Sequence, residues 1–99
     1  MPQSANVRAL TVDDFEPRLQ QEFHLQAPNE PTLKLVEVRR LGQAMREGGA
    51  FSLLFVSARG SFLPQATYVL THPELGTLEL FIVPIGLAAG GNGYEAVFT

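Results

Sequence analysis

Two histidines, three serines after residue 50 and a few carboxylates are the residues with types suited to chemistry. A nucleophilic serine needs a base and an orienting acid. Ser52, Ser57 and Ser61 are available, but only Ser61 follows a glycine, and no strand–elbow–helix pattern surrounds Gly60-Ser61, which reads as a turn. His24 stands between Phe23 and Leu25 in an alternating stretch and is expected to face solvent. His72 opens His72-Pro73-Glu74-Leu75-Gly76, where its imidazole serves as a turn or cross-strand partner or as a polar anchor on a binding rim. The two histidines and Asp13-Asp14 lack ligand spacing such as His-x-x-x-His, so no metal site and no cofactor are expected. Gly90-Gly91-Asn92-Gly93 lacks the Lys-Ser/Thr ending of a phosphate loop and precedes no helix. Asp13 and Asp14 suit the first turn of a helix. Glu95 reads as an outward strand residue or as a polar contact holding the last strand. Gln65, just before a strand, is placed to hydrogen-bond a loop backbone. Tyr68 and Tyr94 either bury their rings with the hydroxyl anchored or stand at a rim as interface anchors. No enzyme is read from this set.

The elements that would position these residues are mostly strands. Thr11 and Asp14 have the spacing of a capping box, and Leu10 and Phe15 that of a hydrophobic staple, so a short helix is expected near residues 12–19 with Pro17 limiting it. Residues 22–27 alternate polar and apolar, a half-buried strand. Residues 32–41 form the next strand, but its alternation breaks: Leu33 and Leu35 share one face, Val36 and Val38 the other. One extra residue at Leu35-Val36 restores the phase, which predicts a β-bulge; two buried faces fit equally well. Residues 50–58 are nearly continuously apolar, as in a central strand covered on both faces. Residues 66–71 pair through the 72–76 turn with residues 77–85. There Leu78, Leu80 and Ile82 alternate against Glu79, Phe81 and Val83, and Pro84 ends the strand or marks an edge. A loop over 86–93 and a last strand over 94–98 complete the chain. About six strands with one short N-terminal helix, and no β–helix–β spacing, predict a mainly β fold, a small antiparallel barrel or sandwich. Residues 1–9 are expected as a loose arm and residues 10–99 as one domain.

The 99 residues carry seven Lys/Arg and ten Asp/Glu, and no cysteine. Without cysteine there is no disulfide framework. No basic stripe exists to neutralise a phosphate backbone, so no nucleic-acid partner is expected. The stretch from Met1 to Ala9 has no apolar core of a secretory signal, and no apolar run is long enough to span a membrane, so the expected compartment is the cytoplasm. Charge is unevenly distributed: residues 50–99 hold one base, Arg59, and three acids, Glu74, Glu79 and Glu95. Recognition by this half must therefore rely on shape and apolar contact.

Four strings carry a resemblance: Leu63-Pro64-Gln65-Ala66-Thr67-Tyr68, the 72–76 turn, Leu80-Phe81-Ile82-Val83-Pro84-Ile85-Gly86 and Tyr94-Glu95-Ala96-Val97-Phe98. With Phe15, Leu19, Phe23 and the stretch from Phe51 to Phe55, they make residues 10–99 resemble an uncharacterised bacterial domain family of about this length. The resemblance implies no activity. Members occur near proteins similar to phage-tail collar and fibre proteins, which implies an accessory or assembly role. The chain departs from the family pattern at Ala66, where Gly is usual, at Gln20-Gln21, at Thr99 and in the apolar loop Leu87-Ala88-Ala89.

The expected function is a non-enzymatic protein-interaction or assembly module, accessory to a phage-tail-like or secreted particle, with a protein partner or self-association. Its contact elements are the 59–65 corner, the His72 turn and the 85–93 loop, and its candidate binding residues are Gln65, Tyr68, His72, Leu87 and Tyr94. Ile85, Leu87 and exposed strand edges favour homo-oligomers. The alternative is a small-ligand or carbohydrate-binding barrel with a pocket lined by Tyr68, Phe81 or Tyr94.

Overall fold

Alternation decides where most of this chain goes. Each strand turns its apolar set to one side, and a sheet with one such side is stable only when that side is covered. The computed structural model describes residues 10–26, 32–42, 49–57, 63–88 and 90–98. Six antiparallel strands close into a barrel: β1 (Glu22–Leu25), β2 (Thr32–Gly42), β3 (Ala50–Ser57), β4 (Ala66–His72), β5 (Gly76–Ala88) and β6 (Gly91–Phe98). Around the barrel the order is β1-β2-β3-β6-β5-β4. The expected arm, residues 1–9, lies outside the described residues, as do 43–48 and the 58–62 part of the corner.

The interior is filled by the inward residues of every strand. Phe23, Phe55, Leu33, Leu35, Leu53, Leu70, Leu78, Ile82 and Tyr94 have essentially no exposure. The ring of Phe23 meets Phe55 edge-on at 5.4 Å, and Phe51 stacks on Phe98 at 4.5 Å.

A short helix α1 (Val12–Phe15) and a 3-10 turn (Glu16–Arg18) cover one mouth. The Asp14 carboxylate accepts the Thr11 N–H at 2.8 Å, one half of the expected capping box, while the Asp14 N–H goes to the Thr11 carbonyl at 3.0 Å. Leu10 and Phe15 are both buried, and the Phe15 ring lies 5.8 Å from Phe51 and 5.7 Å from Phe98. The helix is shorter than the expected 12–19 because Pro17 turns the chain into 3-10 geometry. Gln20 then takes a left-handed conformation, φ 72°. Its N–H reaches the Leu35 carbonyl at 2.7 Å, and the Leu35 N–H reaches the Gln21 carbonyl at 3.0 Å, which leads the chain into β1 alongside β2.

The bulge expected at Leu35-Val36 is present. The β2–β3 register runs Leu35↔Phe55 and then Glu37↔Leu54, leaving Val36 as the extra residue. Val38 thereby returns to the inner side and packs on the core. The 72–76 turn also forms, with Gly76 at φ 81°.

Two expectations are corrected. Pro84 does not end β5: the strand runs on to Ala88, and Pro84 sits opposite Tyr94 beside a register shift at Ile85, past Ile82, where pairing with β4 stops and β5 has an edge. A bulge tolerates the missing N–H of proline. The expected loop over 86–93 is largely ladder, with Gly86↔Gly93, Leu87↔Asn92 and Ala88↔Gly91 paired. β6 therefore begins at Gly91 rather than Tyr94. Gly91 passes so close to β3 that a Cβ there would lie 1.9 Å from the Ser57 carbonyl oxygen, so only glycine fits.

Candidate functional site

His72 ends β4 on the inner side, 5% exposed, at the mouth covered by the helical segment. Its ring lies 4.7 Å from Phe23. Nδ1 accepts the Glu74 N–H at 3.0 Å and the Leu75 N–H at 3.4 Å. With Nδ1 accepting, the neutral ring carries its proton on Nε2, which donates to Gln21 Oε1 at 2.7 Å. Burial and then the nearby Arg18 guanidinium hold the imidazole below its ordinary value of 6.5; Glu74 opposes the shift and His24 adds slightly to it. Arg18 donates to the Asp14 carbonyl at 2.8 Å and faces Glu74 at 3.8 Å, while its Nε is buried with no hydrogen-bond partner. The cluster is a structural clasp: every His72 ring atom able to hydrogen-bond is engaged within the chain.

The other candidates lie toward the opposite mouth. Tyr94 has no exposure, and its hydroxyl accepts the Leu63 N–H at 2.9 Å. Tyr68 packs on the core, and its hydroxyl donates to the Pro64 carbonyl at 2.7 Å. The two tyrosines thus pin residues 63–64 with rings inward and hydroxyls anchored. Gln65 is exposed at the bend before β4, and Leu87 is 70% exposed near the tip of the β5–β6 hairpin. His72 is separated from this group by the length of β4, so the five candidates do not converge on one cleft. Tyr68 and Tyr94 turn their rings inward, while Phe81 points outward, so the three do not line one pocket together. Ser52 and Ser57 are buried on β3. Among the described residues no three His, Asp or Glu side chains gather as a metal site, and no helix is long and apolar enough to cross a membrane.

The outer surface is more informative. Phe81 is 53% exposed, Ile85 51% and Val97 50%. Val83 of β5 pairs with Glu95 of β6. Phe81 and Val97 lie two residues beyond this pair on their strands, on the same outer side. With Ile85, at the bulge of β5, they give the outer side of β5 and β6 exposed apolar residues, whereas Leu87, opposite Asn92, is on the Tyr94 side of the sheet. β4, β5 and β6 carry no Lys or Arg, only Glu79 and Glu95. Sequence reasoning placed Phe81 and Val83 opposite the inward set of β5, which was the signal for this face. It gave no signal for Val97, whose neighbour comes from another strand.

A second feature runs across β1, β2 and β3 to Gly90-Gly91 at the start of β6. An open depression of about 720 Å³ is floored by Val36, Leu54 and Val56 and rimmed by Glu22, Lys34 and Glu37. Three backbone irregularities build it: the left-handed Gln20, the Val36 bulge and the contact of Gly91 with Ser57. Among the described residues Lys34 makes no ion pair, whereas Glu37 faces Arg39 at 3.6 Å.

Residues 10–98 match the model of a family described as a domain of unknown function, DUF6916. No curated protein and no solved structure matches the chain.

Proposed function

The chain belongs to the DUF6916 family, and from that premise we propose that it is a non-enzymatic interaction module that binds protein through the outer face of β5 and β6. The observation that carries this reading is the clustering of Phe81, Ile85 and Val97, each at half exposure or more, on two paired strands. Scattered surface hydrophobics are ordinary, but contiguous ones on a rigid sheet mark contact surfaces. Sparse charge on the same strands fits the centre of an interface, where charged residues are depleted. The reading extends to an accessory role in a phage-tail-like or secreted particle, as the family resemblance implies. His72, Tyr68 and Tyr94 serve it indirectly, by holding the barrel that displays the face.

The test is a photo-crosslinking amino acid at position 81 in the native host, against the same amino acid at the exposed Asp13. Protein adducts from position 81 and none from position 13 are expected. No adduct from position 81 would overturn the reading.

A further inference from the structure

The stretch Gly90-Gly91-Asn92-Gly93 contains the one Asn-Gly pair of the chain; the other asparagines, Asn6 and Asn29, precede Val7 and Glu30. Asparagine followed by glycine has a chemistry of its own. The nitrogen of the next residue can attack the side-chain carbonyl carbon, and a glycine there puts no Cβ in the way and gives the backbone the freedom to reach.

The fold holds this pair in check, but at a weak place. Asn92 is half-buried in β6, and Gly93 is paired with Val56 on one side and Gly86 on the other. While both ladders hold, the Gly93 nitrogen is fixed in an extended strand and kept from the Asn92 side chain. Both ladders end here. Ser57↔Asn92 is the last pair between β3 and β6, and only Ala88↔Gly91 lies beyond Leu87↔Asn92. The β5 side has little to hold it. Its pairing with β4 stops at Ile82, Pro84 has no N–H to give, and the register shifts between Pro84 and Gly86. Gly86 and Gly90 stand at φ 97° and 85°. A glycine-rich hairpin end with few partners opens at a small fraction of the cost of unfolding the domain.

We propose that Asn92 is a site of self-modification, gated by opening of the β5–β6 hairpin at its tip. When the ladder lets go, the Gly93 nitrogen gives up its proton, bonds to Asn92 Cγ and expels the side-chain nitrogen as ammonia. Water then opens the cyclic imide. Cleavage at Cγ leaves aspartate. Cleavage at the main-chain carbonyl leaves isoaspartate, in which the chain runs through the former side chain. Either product places a carboxylate where residues 60–99 supply no Lys or Arg. Isoaspartate also lengthens the backbone of a strand that passes Ser57 too closely for even a Cβ at Gly91. The original ladder cannot re-form, so the change runs one way and accumulates with the age of the molecule. This inference goes beyond the interaction reading and does not depend on it.

The test holds the full chain at slightly alkaline pH for weeks, folded and, in parallel, unfolded in guanidinium chloride. Peptide mass spectrometry reads conversion at Asn92, and labelling by an isoaspartyl methyltransferase reads the isoaspartate share. Amide exchange of Gly93 is followed on fresh folded protein. Both products are expected, forming about 100-fold more slowly in the folded chain than in the unfolded one. The Gly93 amide should be slowed by the same factor, because both reactions wait for the same opening. A gate that required whole-domain unfolding would slow conversion upwards of ~4,000-fold. Asn92→Gln, whose longer side chain closes a less favourable ring, should stay unconverted over the same period. A folded rate equal to the unfolded rate removes the gate. A folded rate no faster than the measured global stability permits removes the local opening. Aspartate without isoaspartate removes the cyclic route. Each of these overturns the inference.

Discussion

Replacing His72 by Ala removes several interactions at once, and their sum can be worked out. The Nε2 hydrogen bond to Gln21 is lost, and the Glu74 and Leu75 N–H groups lose their acceptor. A net hydrogen bond is worth about 1 kcal/mol, and a buried donor left unsatisfied costs about 1–3 kcal/mol. The Leu75 contact, at 3.4 Å, is the weaker of the two and is discounted. Loss of the ring contact with Phe23 adds roughly 0.5–1 kcal/mol. The total is about 3–4 kcal/mol, a large share of the ~5–15 kcal/mol that holds a domain of this size. His72→Asn separates the contributions. An Asn side-chain oxygen can accept the N–H two residues on, as in an Asx turn, so the turn keeps its acceptor while the reach to Gln21 is lost. About half of the loss is expected to return. Urea unfolding followed by far-UV circular dichroism at pH 7.5 measures both. A His72→Ala protein within ~1 kcal/mol of wild type, or a His72→Asn protein no better than His72→Ala, refutes the clasp. The pH dependence gives an independent check. The folded protein holds the imidazole below 6.5, so the unfolded chain takes up the proton first. The stabilisation is complete above 6.5 and is lost as pH falls through the window below it. His72→Asn should flatten that part of the stability curve.

Three further outcomes follow from the backbone. Asp14→Ala removes the acceptor of the Thr11 N–H and is expected to cost about 1 kcal/mol by the same urea assay. Gly91→Ala drives a methyl into the Ser57 carbonyl, whereas Gly86→Ala, at φ 97° with nothing within 4 Å, meets only backbone strain. The first should cost upwards of ~3 kcal/mol and the second roughly 1 kcal/mol, so equal losses would contradict the close approach. Gln20→Gly relieves the left-handed conformation at φ 72° and is expected to raise the thermal midpoint by a few degrees, the equivalent of roughly 0.5–1 kcal/mol.

Much of the fold could be read from neighbours along the chain. The bulge at Val36 was legible because a phase break in a period of two has few physical remedies. The turn after His72 was legible because Pro73 presets its φ and Gly76 tolerates the left-handed conformation that closes the turn. Pro84 and the glycines after it misled for the same reason. Their local preference is for breaking a strand, and the ladder with β6 overrode it by placing a bulge at Ile85. The burial of His72 depends on Gln21, 51 residues away, and no local pattern reports such a contact. The depression was invisible because the apolar run of β3 read as a strand covered on both faces, whereas its outer residues Leu54 and Val56 lie, with Val36, in an open depression.

The shortness of β1 bears on how the barrel comes together. β1 meets β4 through only two register pairs, His24↔Thr71 and Leu25↔Leu70, with the Gln26 N–H on the Val69 carbonyl beside them. This seam closes a loop of 47 residues, counted from His24 to Thr71. Loop-closure entropy must be met before so few contacts reward it, which makes the seam a late step in folding and an early one in unfolding. Amide exchange should therefore be faster at residues 24–26 than along β3, which is paired on both sides. The His72–Gln21 hydrogen bond and the Arg18–Glu74 pair bridge this same seam. Mild acid, by charging His72, would loosen the barrel along this line first and bare two strand edges that the closed form never presents.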